Sequence, residues 1–273
     1  MQYREFQPSW PLSAYIHCFW TLEGIQHSLM PERIVPDGRM EMVFNLAEPF
    51  VQQTDGRLGT QPRMLLIGEV RRPVIVMPAR QVAILGVRFR PGGMRPFVSF
   101  PVSELTDSII ELENAWGTLV PELEERLHQA ESMPERIRLL ESFLLKRAGE
   151  RLQQDMMVAS AVDEIMTSGG AARIDYLAER LGISGRQLER RFLTTVGITP
   201  KVFSRIIRFQ RTFRVMERRD FPADWHSIAF KAGYYDQAHF IRDFKEFAGL
   251  TPSAYFAQIN PMSEHFIAGE GGD

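Results

Sequence analysis

The sequence predicts an α+β chain: a β-rich amino-terminal domain, barrel or sandwich, ending in helices, then an all-α carboxy-terminal domain built from a repeated two-helix unit. Three observations predict it. Short aromatic and β-branched runs separated by turn residues fill roughly the first hundred positions. Helical apolar spacing takes over after Ser103. The last hundred or so residues align with themselves, the mark of a duplicated supersecondary unit. A chain of 273 residues has room for two separate cores, here placed at 1–150 and 156–260.

The β-like runs are Tyr15-Ile-His-Cys-Phe-Trp-Thr-Leu22, Met40-Glu-Met-Val-Phe-Asn-Leu46, Val74-Ile-Val-Met77 and Ala83-Ile-Leu-Gly-Val-Arg-Phe89. Turn chemistry separates them at Pro36-Asp37-Gly38, Asp55-Gly56 and Pro91-Gly92-Gly93, read as hairpin turns. From Ser103 to Ala148 the spacing is helical, with Leu119, Leu123 and Leu127 on one face and Ile137, Leu140 and Leu144 on another. The polar stretch 147–155 is read as the linker. From Met156 to about Gln258 everything reads as helix.

Composition narrows the function classes. Hydrophobic residues make up 44% and charged residues 24%, the profile of a globular protein rather than a disordered or fibrous one. The opening residues lack a basic patch before an apolar stretch, and no run of about 18 apolar residues occurs. The expectation is a cytoplasmic chain with no membrane partner. Cys18 is the only cysteine, so neither an internal disulfide nor a cysteine zinc cluster is available, and its apolar surroundings suggest a buried, inert thiol. His17, His27, Glu32 and His128 fall into no metal-ligand spacing and are read as scattered surface groups. No metal, cofactor or catalytic residue is expected.

The net charge of −2 conceals a local excess. Residues 173–219 hold 12 Lys and Arg against 4 Asp and Glu. A basic stretch within an otherwise acidic chain suggests a polyanion partner for one domain.

The repeat explains that stretch. Leu177-Ala-Glu-Arg-Leu-Gly-Ile-Ser-Gly-Arg-Gln-Leu-Glu-Arg-Arg-Phe192, followed by Gly197-Ile-Thr-Pro200, matches Ile228-Ala-Phe-Lys-Ala-Gly-Tyr-Tyr-Asp-Gln-Ala-His-Phe-Ile-Arg-Asp-Phe244, followed by Gly249-Leu-Thr-Pro252. Gly182 and Gly233 stand where a short helix must turn through the left-handed region. Ser184 and Asp236 supply capping oxygens for the second helix, Ser184 with Gln187 at capping-box spacing. Ala178 and Ala229 let two helices approach closely. Leu188 with Phe192, and Phe240 with Phe244, bury the second helix. Between the copies, residues 200–216 form one amphipathic helix with Val202, Ile206, Phe209, Phe213 and Met216 on its apolar stripe; at 1.5 Å per residue it spans about 25 Å.

Each copy is a helix-turn-helix, whose second helix presents its outer face to the major groove. With Leu188 inward, Arg186 and Arg190 point outward; with Phe240 inward, Ala238, Arg242 and, less directly, Lys245 do so. Gln237 and His239 lie in the first turn, within reach of base edges. The helix starts at Ser184, Gln187 and Asp236 bring amides to a backbone phosphate. On the connecting helix only Arg208 and Arg211 point clearly away from the stripe and are read as phosphate contacts. Two units at the ends of that helix could reach successive grooves, about 34 Å apart.

Residues 156–258 resemble the DNA-binding domain of the AraC/XylS family of bacterial transcription regulators, through both turns, the linker helix and the run from Gly233 to Tyr255. The resemblance implies base-reading positions at Arg186, Glu189 and Arg190 in the first unit and at Gln237, Ala238, His239 and Arg242 in the second. Two residues depart from the pattern: Glu189 puts an acid on the reading helix, and Phe256 stands where the family often has arginine. The family further implies double-stranded promoter DNA and RNA polymerase as partners, a small-molecule effector or self-association into a homodimer through the β-rich half, and activation or repression as the outcome. The order of segments in that half also resembles uncharacterised amino-terminal domains of such regulators. Strand position and chemistry nominate Trp20, Glu41, Arg88 and Phe89 for an effector pocket. The rival readings are an architectural DNA binder without sequence preference and an enzyme tethered to DNA.

Overall fold

The computed structural model describes residues 1–27, 29–54, 57–217 and 224–258. In chain order the strands are β1 (Gln2–Phe6), β2 (Ile16–Ile25), β3 (Glu32–Ile34), β4 (Glu41–Asn45), β5 (Val51–Thr54), β6 (Arg57–Thr60), β7 (Met64–Ile67), β8 (Val74–Met77), β9 (Gln81–Phe89) and β10 (Ile109–Glu111). The first helices are α1 (Leu112–Trp116), α2 (Leu119–Gln129) and α3 (Met133–Ala148). The strands make two antiparallel sheets, one ordered β1-β2-β9-β4-β7-β10 and the other β3-β8-β5-β6. The two are open and face each other as a sandwich, which resolves the barrel-or-sandwich alternative.

Strand alternation gives the six-stranded sheet two buried faces. Phe19, Leu85, Val87 and Phe89 point to one face and pack against Trp116, Leu123, Leu127, Leu140 and Leu144 of α1–α3. Cys18, Trp20, Leu22, Val43, Leu65 and Ile84 point to the other, where Phe50, just before β5, and Val76 of β8 cover them. Trp20 lies flat over Gly86, where an added Cβ would come within 2.1 Å of the indole. That glycine is a packing requirement.

Several local readings change. Pro36-Asp37-Gly38 is not a hairpin: β3 pairs with β8 in one sheet and β4 with β7 and β9 in the other, so residues 35–40 cross between sheets. Pro91-Gly92-Gly93 joins β9 to a short 3₁₀ turn at Arg95–Phe97. An added Cβ at Gly93 would meet the Tyr15 carbonyl oxygen at 1.9 Å, so close backbone approach explains it. Asp55-Gly56 lies outside the described residues, between paired strands β5 and β6. Helix does not begin at Ser103, since Val102–Leu105 is a 3₁₀ turn and β10 follows. Leu119 is exposed; Val120 takes its place beside Leu123 and Leu127. Nor is His17 a surface group: it is half-buried, and burial, then the positive charges of Arg39, Arg90 and Arg88, lower its pKa to about 4. Glu32 is buried, whereas His27 and His128 are exposed.

The remaining chain is helical: α4 (Met156–Thr167), α5 (Ile174–Arg180), α6 (Gly185–Thr195), α7 (Pro200–Glu217), α8 (Trp225–Lys231), α9 (Gln237–Ala248) and α10 (Pro252–Phe256). Their shared core runs from Val158 and Ile165 through Leu188, Phe192, Phe209 and Phe213 to Phe240, Phe244, Phe247 and Tyr255. Phe256 joins it, stacked on Trp225 with ring centres 5.8 Å apart, which accounts for an aromatic there. Among the described residues no helix is long and apolar enough to cross a membrane.

Candidate nucleic-acid interface

The two second helices start as their sequences require. Ser184 Oγ accepts from the Gln187 amide while Gln187 Oε1 accepts from the Ser184 amide, a complete capping box. Asp236 accepts from the His239 amide at 2.7 Å. Before each helix the turn glycine is left-handed, φ +67° at Gly182 and +91° at Gly233. Thr199 and Thr251 cap α7 and α10 through the amides of Val202 and Ala254. Both α6 and α9 therefore begin at a defined angle, on α5 and α8 respectively.

Their outer faces are open. Arg186, Gln187, Glu189 and Arg190 are exposed on α6, and Gln237, Ala238, Arg242 and Lys245 are exposed on α9. Leu188, Phe192, Phe240 and Phe244 lie fully buried beneath them. His239 departs from the expected set. Its ring turns edge-on to Tyr234 at 5.3 Å, and Nε2 lies 3.5 Å from the Asp243 carboxylate; it is half-buried.

Asp243 itself escaped the sequence reading. It has no exposed surface and pairs at 2.8 Å with Arg205 of α7, which also reaches Glu246 at 2.6 Å and lies 5.0 Å from the centre of the Phe247 ring. Burial works against the Arg205 charge, but the bonds to Glu246 and Asp243 outweigh it and raise its pKa. This cluster fastens the second reading helix to the linker helix. The i, i+3 spacing of Asp243 and Glu246 was legible; their partner on another helix was not. In the first unit Asp155 caps α4 and pairs with Arg191 of α6 at 2.8 Å.

The two arginines read as phosphate contacts are partly absorbed into the fold. Arg208 donates from Nη2 to the Gly170 carbonyl at 2.9 Å and lies over the Tyr234 ring, joining the first unit to the second. Arg211 lies against Gly169, where an added Cβ would meet Nη1 at 2.7 Å. Both are half-buried.

Residues 177–258 match the family described as a helix-turn-helix domain, and residues 4–111 match a domain of unknown function, DUF6597. The carboxy-terminal region carries a helix-turn-helix domain. With that domain the chain is a DNA-binding transcription regulator. Among solved structures, ToxT from Vibrio cholerae is similar at 13% identity, covering 89% of this chain and 99% of that one, with a TM-score of 0.48. An AraC-type regulator from Chromobacterium violaceum is 20% identical over 42% of this chain and 95% of that one, TM-score 0.33. A probable AraC family regulator from Rhodopseudomonas palustris is 24% identical over 37% and 99%, TM-score 0.31. No curated protein matches the chain.

A cavity also lies between the sheets, ahead of this helix-turn-helix domain. Trp20, Ile34, Val43, Phe50, Leu65 and Val76 enclose a cavity of about 90 Å³, and Asp37, Arg39, Glu41 and Arg88 line its polar end. Three of the four residues nominated from sequence meet there. Phe89 does not: it follows Arg88 on β9 and therefore points into the core on the opposite face. Arg88 is buried, with Glu41 at 2.6 Å and Glu5 at 3.7 Å. Burial opposes its charge, but Glu41 and Asp37 hold the guanidinium protonated. Burial pushes the Asp37 carboxyl up to about 6, against the pull of Arg88 and Arg39. Cys18, fully buried nearby, has its thiol pushed up to about 12 by burial.

Proposed function

We propose that residues 156–260 read two successive major grooves of promoter DNA, α6 through Arg186, Glu189 and Arg190, and α9 through Gln237, Ala238 and Arg242. The observation that carries this reading is the pair of open faces on helices joined by one 18-residue helix, about 27 Å long. Arg186 and Arg190 suit guanine, Gln237 suits adenine, and Glu189 accepts from cytosine while repelling phosphate. Ser184, Gln187 and Asp236 set the helix starts against the backbone, with Arg211 and Lys245 as cationic contacts. Residues 1–150 then hold the control site, a small molecule in the inter-sheet cavity.

The test is titration of duplexes recovered by mapping the chain's genomic sites. Arg190→Ala should weaken binding to these sites by ~1–3 kcal/mol while random duplex loses far less. Equal losses on both would make the chain an architectural binder.

A further inference from the structure

Residues 33–39 run between the cavity and the helical domain and touch both. Ile34, Val35, Asp37 and Arg39 line the cavity. Between them, Arg33 donates to the Ala248 carbonyl at the end of α9 at 3.1 Å, and the Pro36 carbonyl accepts from Gln210 of α7. Gly38 lies against Phe203 of α7, where an added Cβ would come within 2.8 Å of the ring and 3.5 Å of Ile207. Val35 belongs to the helical domain's own core. One short segment thus forms a cavity wall and a grip on both the linker helix and the second reading helix.

The segment is also a wall outside the sheets. Opposite it, β2, β9, β4 and β7 form a continuous hydrogen-bonded sheet, whereas residues 35–40 belong to no strand. At about 90 Å³ the cavity is smaller than the ~150 Å³ that accommodates benzene in an apolar core. A ring-sized occupant therefore needs extra room, and of the walls outside the strands, which also include Phe50, Gln61 and Val70, the crossing segment is the one bonded to α7 and the end of α9.

We propose that residues 33–39 are a clasp: a ring-sized, largely apolar molecule with a hydrogen-bonding head enters the cavity, lifts the clasp from α7 and the end of α9, and lowers DNA affinity. The direction follows from the closed form, in which the reading residues on α6 and the outer face of α9 are already exposed. Releasing α9 and α7 adds freedom that DNA binding must remove again. The inference rests on the reading of the cavity as the control site.

Two sets of variants of the full chain test it. Val43→Trp grows a ring into the cavity from the rigid sheet, with Val76→Phe from the facing sheet as the alternative if the first does not fold. Arg33→Ala with Gln210→Ala opens the clasp and leaves the cavity unchanged. Each should raise hydrogen exchange at residues 35–40 about tenfold and weaken specific DNA binding about fivefold or more. Combined, they should weaken it no further, because both act through one contact. Folded variants that bind DNA as the parent does, or whose effects multiply, overturn the clasp. Indole, a ring-sized probe with an N–H donor, separates the two readings. If indole binds in the cavity and leaves exchange and DNA affinity unchanged, the clasp fails while the cavity remains a ligand site. If indole does not bind but the variants behave as described, the clasp stands and indole is excluded as an occupant.

Discussion

Removing Arg205 asks how the second reading helix is held. Its two acidic partners are not equivalent: Asp243 has no exposed surface, whereas the Glu246 side chain is 45% exposed. An exposed ion pair contributes ~0.2–1 kcal/mol, and Glu246→Ala should cost no more than that. Arg205→Ala leaves Asp243 buried without its guanidinium, a change that typically costs ~3–5 kcal/mol, and also removes the contact with Phe247. Replacing both charges, Arg205→Met with Asp243→Leu, removes the uncompensated carboxylate and should recover most of the loss. The assay is urea unfolding followed by tryptophan fluorescence, with Trp225 reporting from the same core through its stacking on Phe240 and Phe256. If Arg205→Ala costs under about 1 kcal/mol, or no less is lost in the double variant, the reasoning fails: the pair is then no stronger than a solvated one.

Other substitutions separate further contributions. Arg208→Ala should lower stability by ~1.5–3 kcal/mol by removing a charged hydrogen-bond donor, and should change the salt slope of DNA binding by less than one phosphate; a shift of about 0.9, one full phosphate, would return Arg208 to the interface. Gly233→Ala meets no crowding, its nearest neighbour being 3.9 Å away, so its cost in a melting experiment should be the left-handed backbone alone, ~1–2 kcal/mol. Gly86→Ala should cost ~1–3 kcal/mol by overpacking and red-shift fluorescence as Trp20 is displaced; an unshifted spectrum would contradict the packing of indole on that glycine. Asp37 binds its proton more tightly folded than unfolded, with a pKa of about 6 against an ordinary value of about 3.9. Its contribution to stability is therefore present at low pH, falls as pH rises between about 4 and 6, and is level above. In Asp37→Asn that part of the stability profile should flatten, as followed by urea titrations across the range.

The helical half was largely legible because its determinants are local. Caps, turn glycines and i, i+4 apolar pairs lie within a few residues of what they control, so Gly182, Ser184, Gly233 and Asp236 announce two turns and two helix starts. The outward set on α6 followed from one angular period. On α9 the period gave Ala238, Arg242 and Lys245, all exposed, while His239, nominated for its place in the first turn, is half-buried beside Asp243 and Tyr234. Arg208 and Arg211 were read as solvent-facing because the sequence displays one apolar stripe on α7. The rest of α7 is covered by distant chain: Phe203 packs against Phe192 and Gly38, Gln210 donates to the Pro36 carbonyl, and Arg208 and Arg211 lie against Gly170 and Gly169.

Fold class, the duplicated helix-turn-helix, its caps and most of its outward residues were determined by sequence alone, since each depends on neighbours a turn or two away. Tertiary structure decided the rest. It paired the described strands into two open sheets, sent Arg88 to the cavity and Phe89 to the core, buried Asp243 against Arg205, and made a sheet-crossing segment of what looked like a hairpin turn. These outcomes depend on which distant surfaces meet, and a turn residue or a charge in the chain carries no mark of the surface that will cover it.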